Sequence, residues 1–198
     1  MLVHLYDVMN RYPNLQVDGT LERVPEEQIV EAARNGDAES FGTLYERYYA
    51  AMVWLAYSIL LDRDLAEDAA QQSFVKACEK LADLQRADRF GPWLAAICRN
   101  EAHQLLRRRK CRLNRQATEP EYTEPHDAAE RDHDVVRAAI DQLAPMYREI
   151  IVLHYFNGMN YPQIASTLGI AGHTVQGRLF RARRQIEHTL RKNGFPEG

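Results

Sequence analysis

Cysteine and long apolar segments are both scarce in this 198-residue chain. The three cysteines, Cys78, Cys98 and Cys111, lie far apart and are odd in number, which favours reduced thiols over a disulfide framework. The apolar run 50–61 is much shorter than the ~20 residues that span a bilayer. The first residues lack the basic start and clean apolar stretch of a secretory signal. We therefore expect a cytoplasmic protein without membrane insertion.

Sequence signatures of catalysis are also missing. The chain contains no glycine-rich phosphate loop, no zinc-type Cys/His spacing and no Gly-x-Ser-x-Gly elbow. We predict that it is not an enzyme, has no catalytic residues and needs no cofactor. One group of possible metal ligands exists, but it falls in a segment with the composition of a linker, so no metal site is predicted there: His126, Asp127, Asp132, His133 and Asp134.

The net charge of −3 hides a strongly uneven distribution. Residues 26–84 carry twelve acids and five bases, whereas residues 85–115 carry nine bases and two acids. Acids predominate again over residues 116–134, and residues 178–192 carry six bases and one acid. Two basic blocks separated by acidic ones are typical of a protein that touches DNA at two places. The acidic segments beside these blocks indicate a surface that binds a protein partner, or one that masks the basic blocks of the same chain.

Helical periodicity dominates the chain from residue 26 onward, and no segment alternates convincingly as a strand. The pattern predicts a short helix over residues 26–34 and a long one over 41–59. Asp64 is the predicted N-cap of a third helix, and a fourth covers 90–110 and ends in a run of bases. The fold class is therefore predicted to be all-α.

Composition divides the chain into four parts. Residues 1–25 form an extension without clear periodicity, and residues 26–112 form a first helical domain. Residues 113–134 contain two prolines, many acids and almost no large apolar residues, which is typical of a flexible linker. A second helical domain covers residues 135–198.

The strongest local motif is YPQIASTLGIAGHTVQGRLFRAR. A helix-turn-helix needs a small residue where its helices touch, a residue that tolerates positive φ at the turn, and an apolar residue in the second helix. Ala165, Gly169 and Val175 have the spacing that this geometry requires. The second helix would enter the major groove, where Arg pairs with guanine and Gln with adenine. Its outward positions are His173, Thr174, Gln176, Gly177, Arg178, Phe180, Arg181 and Arg184.

Three segments in order extend this pattern to the rest of the chain: LLDRDLAEDAAQQSFVKACEKL, FGPWLAAICRNEAHQLLRRRK and LAPMYREIIVLHYFNGMNYPQIASTLGI. With them the sequence resembles the extracytoplasmic-function (ECF) branch of the sigma-70 family. The resemblance implies a factor that binds core RNA polymerase and directs promoter recognition, DNA melting and transcription initiation. The alternative is a helix-turn-helix regulator of the response-regulator output type, which would need an upstream sensory domain that the first four helices do not resemble.

The resemblance also assigns roles within the first domain. The third helix would pack on the clamp coiled coil of the largest polymerase subunit through Asp68, Gln71, Gln72, Phe74, Val75 and Lys76. Phe74 could equally be a core residue. The fourth helix and the loop before it would hold the melted −10 strand in a cationic groove, through Arg86, Arg89, Arg99, Asn100, His103, Arg107 and Arg108. Trp93 shares a face with apolar residues, so a core role is favoured over a wedge between bases.

In the second domain the resemblance implies binding of the −35 element by His173, Thr174, Gln176, Arg178, Phe180, Arg181 and Arg184. Its other face would contact the polymerase flap, and an anti-sigma factor is an expected partner. The linker acids Glu119, Glu121, Glu124 and Asp127 could mimic nucleic-acid charge, or the linker could be a plain tether. The sequence departs from the family pattern at Gln104, His173, Gln176 and Gly177. Recognition of the −35 element is therefore expected to be unusual.

Overall fold

The computed structural model describes residues 24–113 and 138–192. Every regular element in these two stretches is helical, which confirms the all-α prediction. The linker, with its acids and its candidate metal ligands, falls almost entirely outside the described residues, as does the N-terminal extension up to residue 23.

The first half begins with two helices whose ends are set by local chemistry. Helix α1 (Glu26–Arg34) buries one apolar face, and its chain turns away at Gly36, where φ is +94°. Helix α2 (Ala38–Leu60) is capped by Asp37, whose carboxylate accepts a hydrogen bond from the Ser40 backbone N–H. Such a cap satisfies a donor that the first turn of a helix otherwise leaves open.

Helix α3 (Arg63–Lys80) starts two residues earlier than its sequence suggested. Asp62, not Asp64, is the N-cap, and its side chain accepts a hydrogen bond from the Leu65 N–H at 3.1 Å. Asp64 instead lies in the first turn, where its charge faces the positive end of the helix dipole. The predicted cap was therefore wrong by two residues, because both aspartates suit the helix start and only the backbone geometry distinguishes them.

Helix α4 (Phe90–Leu113) follows two short 3₁₀ turns, Leu81–Asp83 and Ala87–Arg89, and packs against α2 and α3. Its buried face includes Phe90, Leu94, Cys98 and Ala102. These positions recur every four residues, so the opposite face of α4 remains available to solvent or a partner.

The second half contains a helical turn at residues 138–141 and the helices α5 (Pro145–Tyr155), α6 (Tyr161–Leu168) and α7 (Gly172–Lys192). Pro145 occupies the first turn of α5, where its missing N–H costs no hydrogen bond. Helices α6 and α7 both pack on α5.

The two halves touch each other directly. Helix α5 packs against α2, and α6 packs against α4. Neither composition nor periodicity predicted this contact, because both describe each half as an independent unit on a linker.

Candidate nucleic-acid interface

The helix-turn-helix of the second half has the predicted geometry. Asn160 forms a capping box at the start of α6, since its side chain accepts from the Gln163 N–H at 3.0 Å while the Gln163 side chain accepts from the Asn160 N–H at 2.9 Å. Gly169 ends α6 with φ +64°, a left-handed conformation that glycine adopts without steric penalty. The turn then leads into α7 through the Ile170 N–H, which donates to the Ala165 carbonyl.

Helix α7 separates a buried stripe from an outward cationic face. Val175, Leu179, Ala182, Ile186 and Leu190 are buried, as the three- and four-residue spacing predicted. Of the predicted −35 residues, Thr174 and Arg178 are half-buried and the others are exposed: His173, Gln176, Phe180, Arg181 and Arg184. The Phe180 ring is 59% exposed and lies 5.9 Å from the Arg184 guanidinium carbon. The outward face therefore offers donors and one apolar ring at the surface.

Arg183 fixes the orientation of this outward face. Its Nε donates to the Tyr155 hydroxyl at 2.7 Å, and its guanidinium carbon lies 5.5 Å from the centre of the same ring. Because Tyr155 ends α5, this contact and the buried stripe together hold α7 at one rotation on its neighbour. Arg183 thus has a positioning role that separates it from the outward arginines.

A second cationic surface lies on the first half, around the 3₁₀ turn before α4. Arg86 and Asp88 form an exposed pair with contacts of 3.0 and 2.6 Å, and Arg89 lies 4.0 Å from the same carboxylate. The hydrogen bond from Arg86 lowers the pKa of Asp88 and raises the pKa of Arg86. Both arginines stay exposed and charged, so both can contact an anionic ligand if Asp88 is displaced.

The predicted −10 residues on α4 fall into two environments. Asn100, Arg107 and Arg108 are exposed, as a DNA-facing surface requires. Arg99 and His103 are half-buried and face the second half of the chain, where Arg99 pairs with Glu149 of α5. Burial lowers the pKa of His103, and Arg99 and Arg107 act in the same direction against the opposing charge of Glu149. Sequence reasoning did not find Glu149, because nothing in its local pattern indicates a partner fifty residues away.

The basic end of α4 is divided in the same way. Arg109 is tied to the α3 cap, since its Nη1 lies 3.1 Å from Asp62. Lys110 remains exposed beside Arg107 and Arg108. Of these four consecutive bases, Arg109 therefore links α4 to the start of α3, and the other three leave their charges exposed.

Most of the predicted polymerase-binding residues lie at the surface of α3, and one of them lies in the core instead. Asp68, Gln71, Gln72 and Val75 are exposed at helical spacing, and the Val75 side chain is 52% exposed. Lys76 is bound to Glu101 of α4 at 2.6 Å. Phe74 is only 3% exposed and packs among Phe41, Tyr45 and Tyr49, so its assignment as a direct contact is corrected to a core role.

Trp93 is partly buried and lies 6.0 Å from the Phe90 ring, consistent with the core role that its position on α4 favoured. Within residues 24–113 and 138–192, no group of three or more His, Cys, Asp or Glu side chains could hold a metal ion. In the same residues, no helix combines the length and the apolar character needed to cross a bilayer.

Comparison with known proteins agrees with this geometry. The family model for sigma-70 region 2 matches residues 44–112, and the model for sigma-70 region 4 matches residues 133–186. The first match covers most of α2, all of α3 and nearly all of α4, and the second covers the helix-turn-helix up to the last turns of α7. The two models therefore fall on the two halves that carry the cationic surfaces.

Individual relatives extend the match over most of the chain. The ECF RNA polymerase sigma factor SigL of Mycobacterium tuberculosis is 32% identical over 177 residues, which are 83% of this chain and 97% of SigL. The probable sigma factor RfaY of Xanthomonas campestris is 29% identical over 86% of this chain, which spans 45% of that longer protein.

The fold matches a solved structure of Bartonella quintana RpoE in complex with the anti-sigma factor NepR, with a TM-score of 0.69 and 26% identity over 78% of this chain and 98% of that one. The chain therefore belongs to the ECF branch of the sigma-70 family of RNA polymerase sigma factors.

Proposed function

We propose that this sigma factor binds core RNA polymerase and brings it to promoters that it contacts at two separate elements. Residues 26–112 would form the domain that binds polymerase and the −10 element, residues 113–134 the linker, and residues 135–198 the domain that binds the −35 element. Sigma factors are initiation factors without enzymatic activity. We accordingly assign this chain no catalytic residue and place it in the cytoplasm, where polymerase and promoter DNA are found.

At the −35 element, α7 would lie in the major groove with its N-terminal half against the bases. Gln176 and Arg181 are exposed and Arg178 is half-buried on the same outward face. Arginine pairs with guanine and glutamine with adenine, and the remaining outward bases would contact phosphate. The rotation set by Arg183 and Tyr155 supports this orientation.

At the −10 element, the second cationic surface would hold a melted single strand. Arg86, Arg89, Asn100, Arg107 and Arg108 are exposed on or next to α4. Single-stranded DNA is held through backbone charge and through pockets for unstacked bases, and a groove lined by these side chains supplies the charge. Arg99 and His103 would join this surface once the contact with α5 is released.

Polymerase would be bound by the exposed face of α3, against the clamp coiled coil, and by the second half, against the flap. Asp68, Gln71, Gln72 and Val75 combine polar groups with one exposed apolar side chain, which is a composition suited to a helix–helix contact. An anti-sigma factor is the further proposed partner, since RpoE of Bartonella quintana was solved in complex with one.

The observation that carries this function is the outward cationic face of α7, held at a fixed rotation opposite a buried stripe. The test is in vitro transcription by core polymerase and this chain on a library of promoter fragments. The wild-type chain should select a subset of fragments. Arg178→Ala and Arg181→Ala should each weaken binding of selected duplexes by about 1–3 kcal/mol, because base-reading contacts have that magnitude.

Lys192→Ala is the matched control, since Lys192 is an exposed base at the far end of the same helix. It should leave fragment selection unchanged. Normal transcription by the Arg178 and Arg181 variants from promoters with a −35 element would refute the role of α7. Specific duplex binding by the chain alone, with no effect on core polymerase, would favour the helix-turn-helix regulator instead.

A further inference from the structure

The middle of helix α5 is buried on nearly all sides, although the helix is only eleven residues long. Ile150, Ile151, Val152 and Leu153 are each 0% exposed. Four successive residues cover about 300° of a helix circumference, so no single neighbour can bury all of them. Helices α6 and α7 cover one side of α5, and α2 of the first half covers another. The apolar surface of α5 is therefore complete only when the two halves are together.

The contact between α2 and the second half is specific in geometry. The Trp54 ring of α2 stacks on the Phe156 ring with centroids 4.8 Å apart and an interplanar angle of 29°. One helical turn further along, the Tyr57 hydroxyl donates to the Asp141 carboxylate at 3.0 Å. Stacked aromatic pairs and aligned hydrogen bonds both need a defined orientation, so these contacts fix one relative placement of the halves.

The contact at α4 occupies two residues that the proposed function needs for DNA. The Arg99 Nε donates to the Glu149 carboxylate, and these two side chains are 28% and 12% exposed. His103 lies one turn further along α4, where the charge of Glu149 opposes the lowering of its pKa by burial. The other proposed −10 bases, Arg86, Arg89, Arg107 and Arg108, stay exposed. Glu149 thus binds Arg99, the arginine of the −10 set that faces the second half.

The buried polar groups near this interface are incompletely satisfied. The His103 Nε2, the Arg148 Nε and both side-chain polar atoms of Asn157 are buried without a hydrogen-bond partner among the described residues. A buried donor or acceptor without a hydrogen-bond partner weakens the contact that buries it. Separation of the halves exposes these groups to water, with which they can form hydrogen bonds.

We propose that the free chain closes its two halves on each other, and that in this closed form the Glu149 carboxylate holds the Arg99 guanidinium in place of a promoter phosphate. Opening then precedes full engagement of the −10 strand. Closure is a property of the chain itself, since the halves meet through their own side chains. The inference deepens the proposed function, because it rests on the role of Arg99 at the −10 strand.

Closure is tested by energy transfer between dyes on the two halves of the full-length chain. Cys78 is exposed in the first half, and Gln185 is exposed on α7. A background with Cys111→Ser and Gln185→Cys therefore takes one dye on each half, while the buried Cys98 stays unlabelled. Transfer should be high in this background. It should fall in Glu149→Gln and also in Trp54→Ala, which opens the halves while leaving Arg99 and Glu149 in place.

Competition with DNA is tested by fluorescence anisotropy with a labelled single-stranded oligonucleotide of mixed sequence, about 12 nucleotides long. Glu149→Gln should bind it about three- to ten-fold more tightly than wild type, because the charged pair no longer has to be broken first. The matched control is Glu187→Gln, which removes the same charge from the second half on α7. Arg99→Ala should weaken binding in the Glu149→Gln background.

The outcomes separate this inference from the proposed function. Closure is overturned if energy transfer is low in the starting chain, or if neither Glu149→Gln nor Trp54→Ala changes it. In that case a loss of DNA binding in Arg99→Ala would still support the −10 role of Arg99. Reduced transfer with a DNA affinity equal to that of Glu187→Gln overturns the competition between Glu149 and DNA. If Arg99→Ala leaves DNA binding intact in the open variants, the proposed −10 role of Arg99 fails and the competition fails with it.

Discussion

At the scale of single residues, the fold places the three cysteines in two different environments. Cys78 and Cys111 are exposed, whereas Cys98 is buried and its thiol lies 3.3 Å from the Met52 carbonyl oxygen. Burial raises the pKa of the Cys98 thiol to about 12. Since only the thiolate reacts rapidly, a thiol reagent at pH 8 should modify Cys78 and Cys111 quickly and Cys98 only after unfolding.

Mass spectrometry of the alkylated chain, before and after addition of denaturant, checks this order of reactivity. Cys98→Ser should leave the number of rapidly modified thiols unchanged, whereas Cys78→Ser should lower it by one. Rapid modification of Cys98 in the native chain would show that α4 separates from α2 far more often than the packed core implies.

Leu61 shows a different kind of residue-scale constraint, since it adopts φ 51° and ψ 38° at the end of α2 and is 46% exposed. The left-handed conformation destabilises an L side chain by about 1–2 kcal/mol, while glycine gives the unfolded chain about 0.4–1 kcal/mol of extra freedom. We expect Leu61→Gly to raise the free energy of unfolding by up to about 1 kcal/mol. Urea denaturation followed by circular dichroism measures this difference.

Leu60→Gly is the neighbouring control, because Leu60 is helical and buried. It should lower the free energy of unfolding by several kcal/mol, about the loss expected for a truncated core leucine plus a helical glycine. A loss of stability in Leu61→Gly comparable to that in Leu60→Gly would contradict the argument from backbone strain.

At the scale of elements, the capping box of α6 is the feature that most directly shapes the helix-turn-helix. Asn160→Ala removes the acceptor for the Gln163 N–H, and an N-cap replaced by alanine costs about 1 kcal/mol. We expect the free energy of unfolding to fall by about that amount in urea denaturation. Asn100→Ala makes the same chemical change at an exposed position within α4, where alanine is the better helix former.

Asn100→Ala should therefore leave stability unchanged or slightly raised. The two variants together distinguish loss of the cap from a general effect of replacing asparagine. Equal effects of both replacements would mean that the Asn160 side chain contributes nothing particular to the start of α6.

Much of each element was predictable from its own sequence, because the determinants are local. The buried stripe of α7, the glycine turn at Gly169 and the proline start of α5 follow from spacing and residue type. The cap of α3 did not, since Asp62 and Asp64 are chemically equivalent and only the backbone selects between them. Phe74 was left open for a related reason, because an apolar residue on a helix faces either a core or a partner.

The contacts between the halves were not predictable, because they join residues far apart in sequence. Arg99 and Glu149 are each ordinary surface residues when their own helices are considered alone. The run from Ile150 to Leu153 was the one available signal, since four adjacent apolar residues in a helix need partners on more than one side. That run indicates a buried helix but does not identify α2 as the neighbour.

At the scale of the whole molecule, the interface between the halves predicts a dependence on pH. His103 faces Arg99 and Arg107 of its own helix and Glu149 of α5, and burial lowers its pKa below the ordinary value of 6.5. The closed form therefore binds the proton less readily than an open form with an ordinary histidine. The contribution of His103 to closure is fully present above about pH 6.5 and is lost as the pH falls through that value toward the lower pKa of the closed form.

The chain labelled at Cys78 and position 185 measures this effect as a loss of energy transfer between about pH 7.5 and 5.5, a range in which ordinary carboxylates stay ionised. His103→Gln should keep transfer nearly constant over the same range, because glutamine does not titrate. His188→Asn, at an exposed position on α7, should retain the wild-type pH dependence. If energy transfer falls with pH equally in His103→Gln, the opening belongs to another titrating group. If energy transfer in the wild-type chain does not change with pH, His103 stays accessible to water in the closed form.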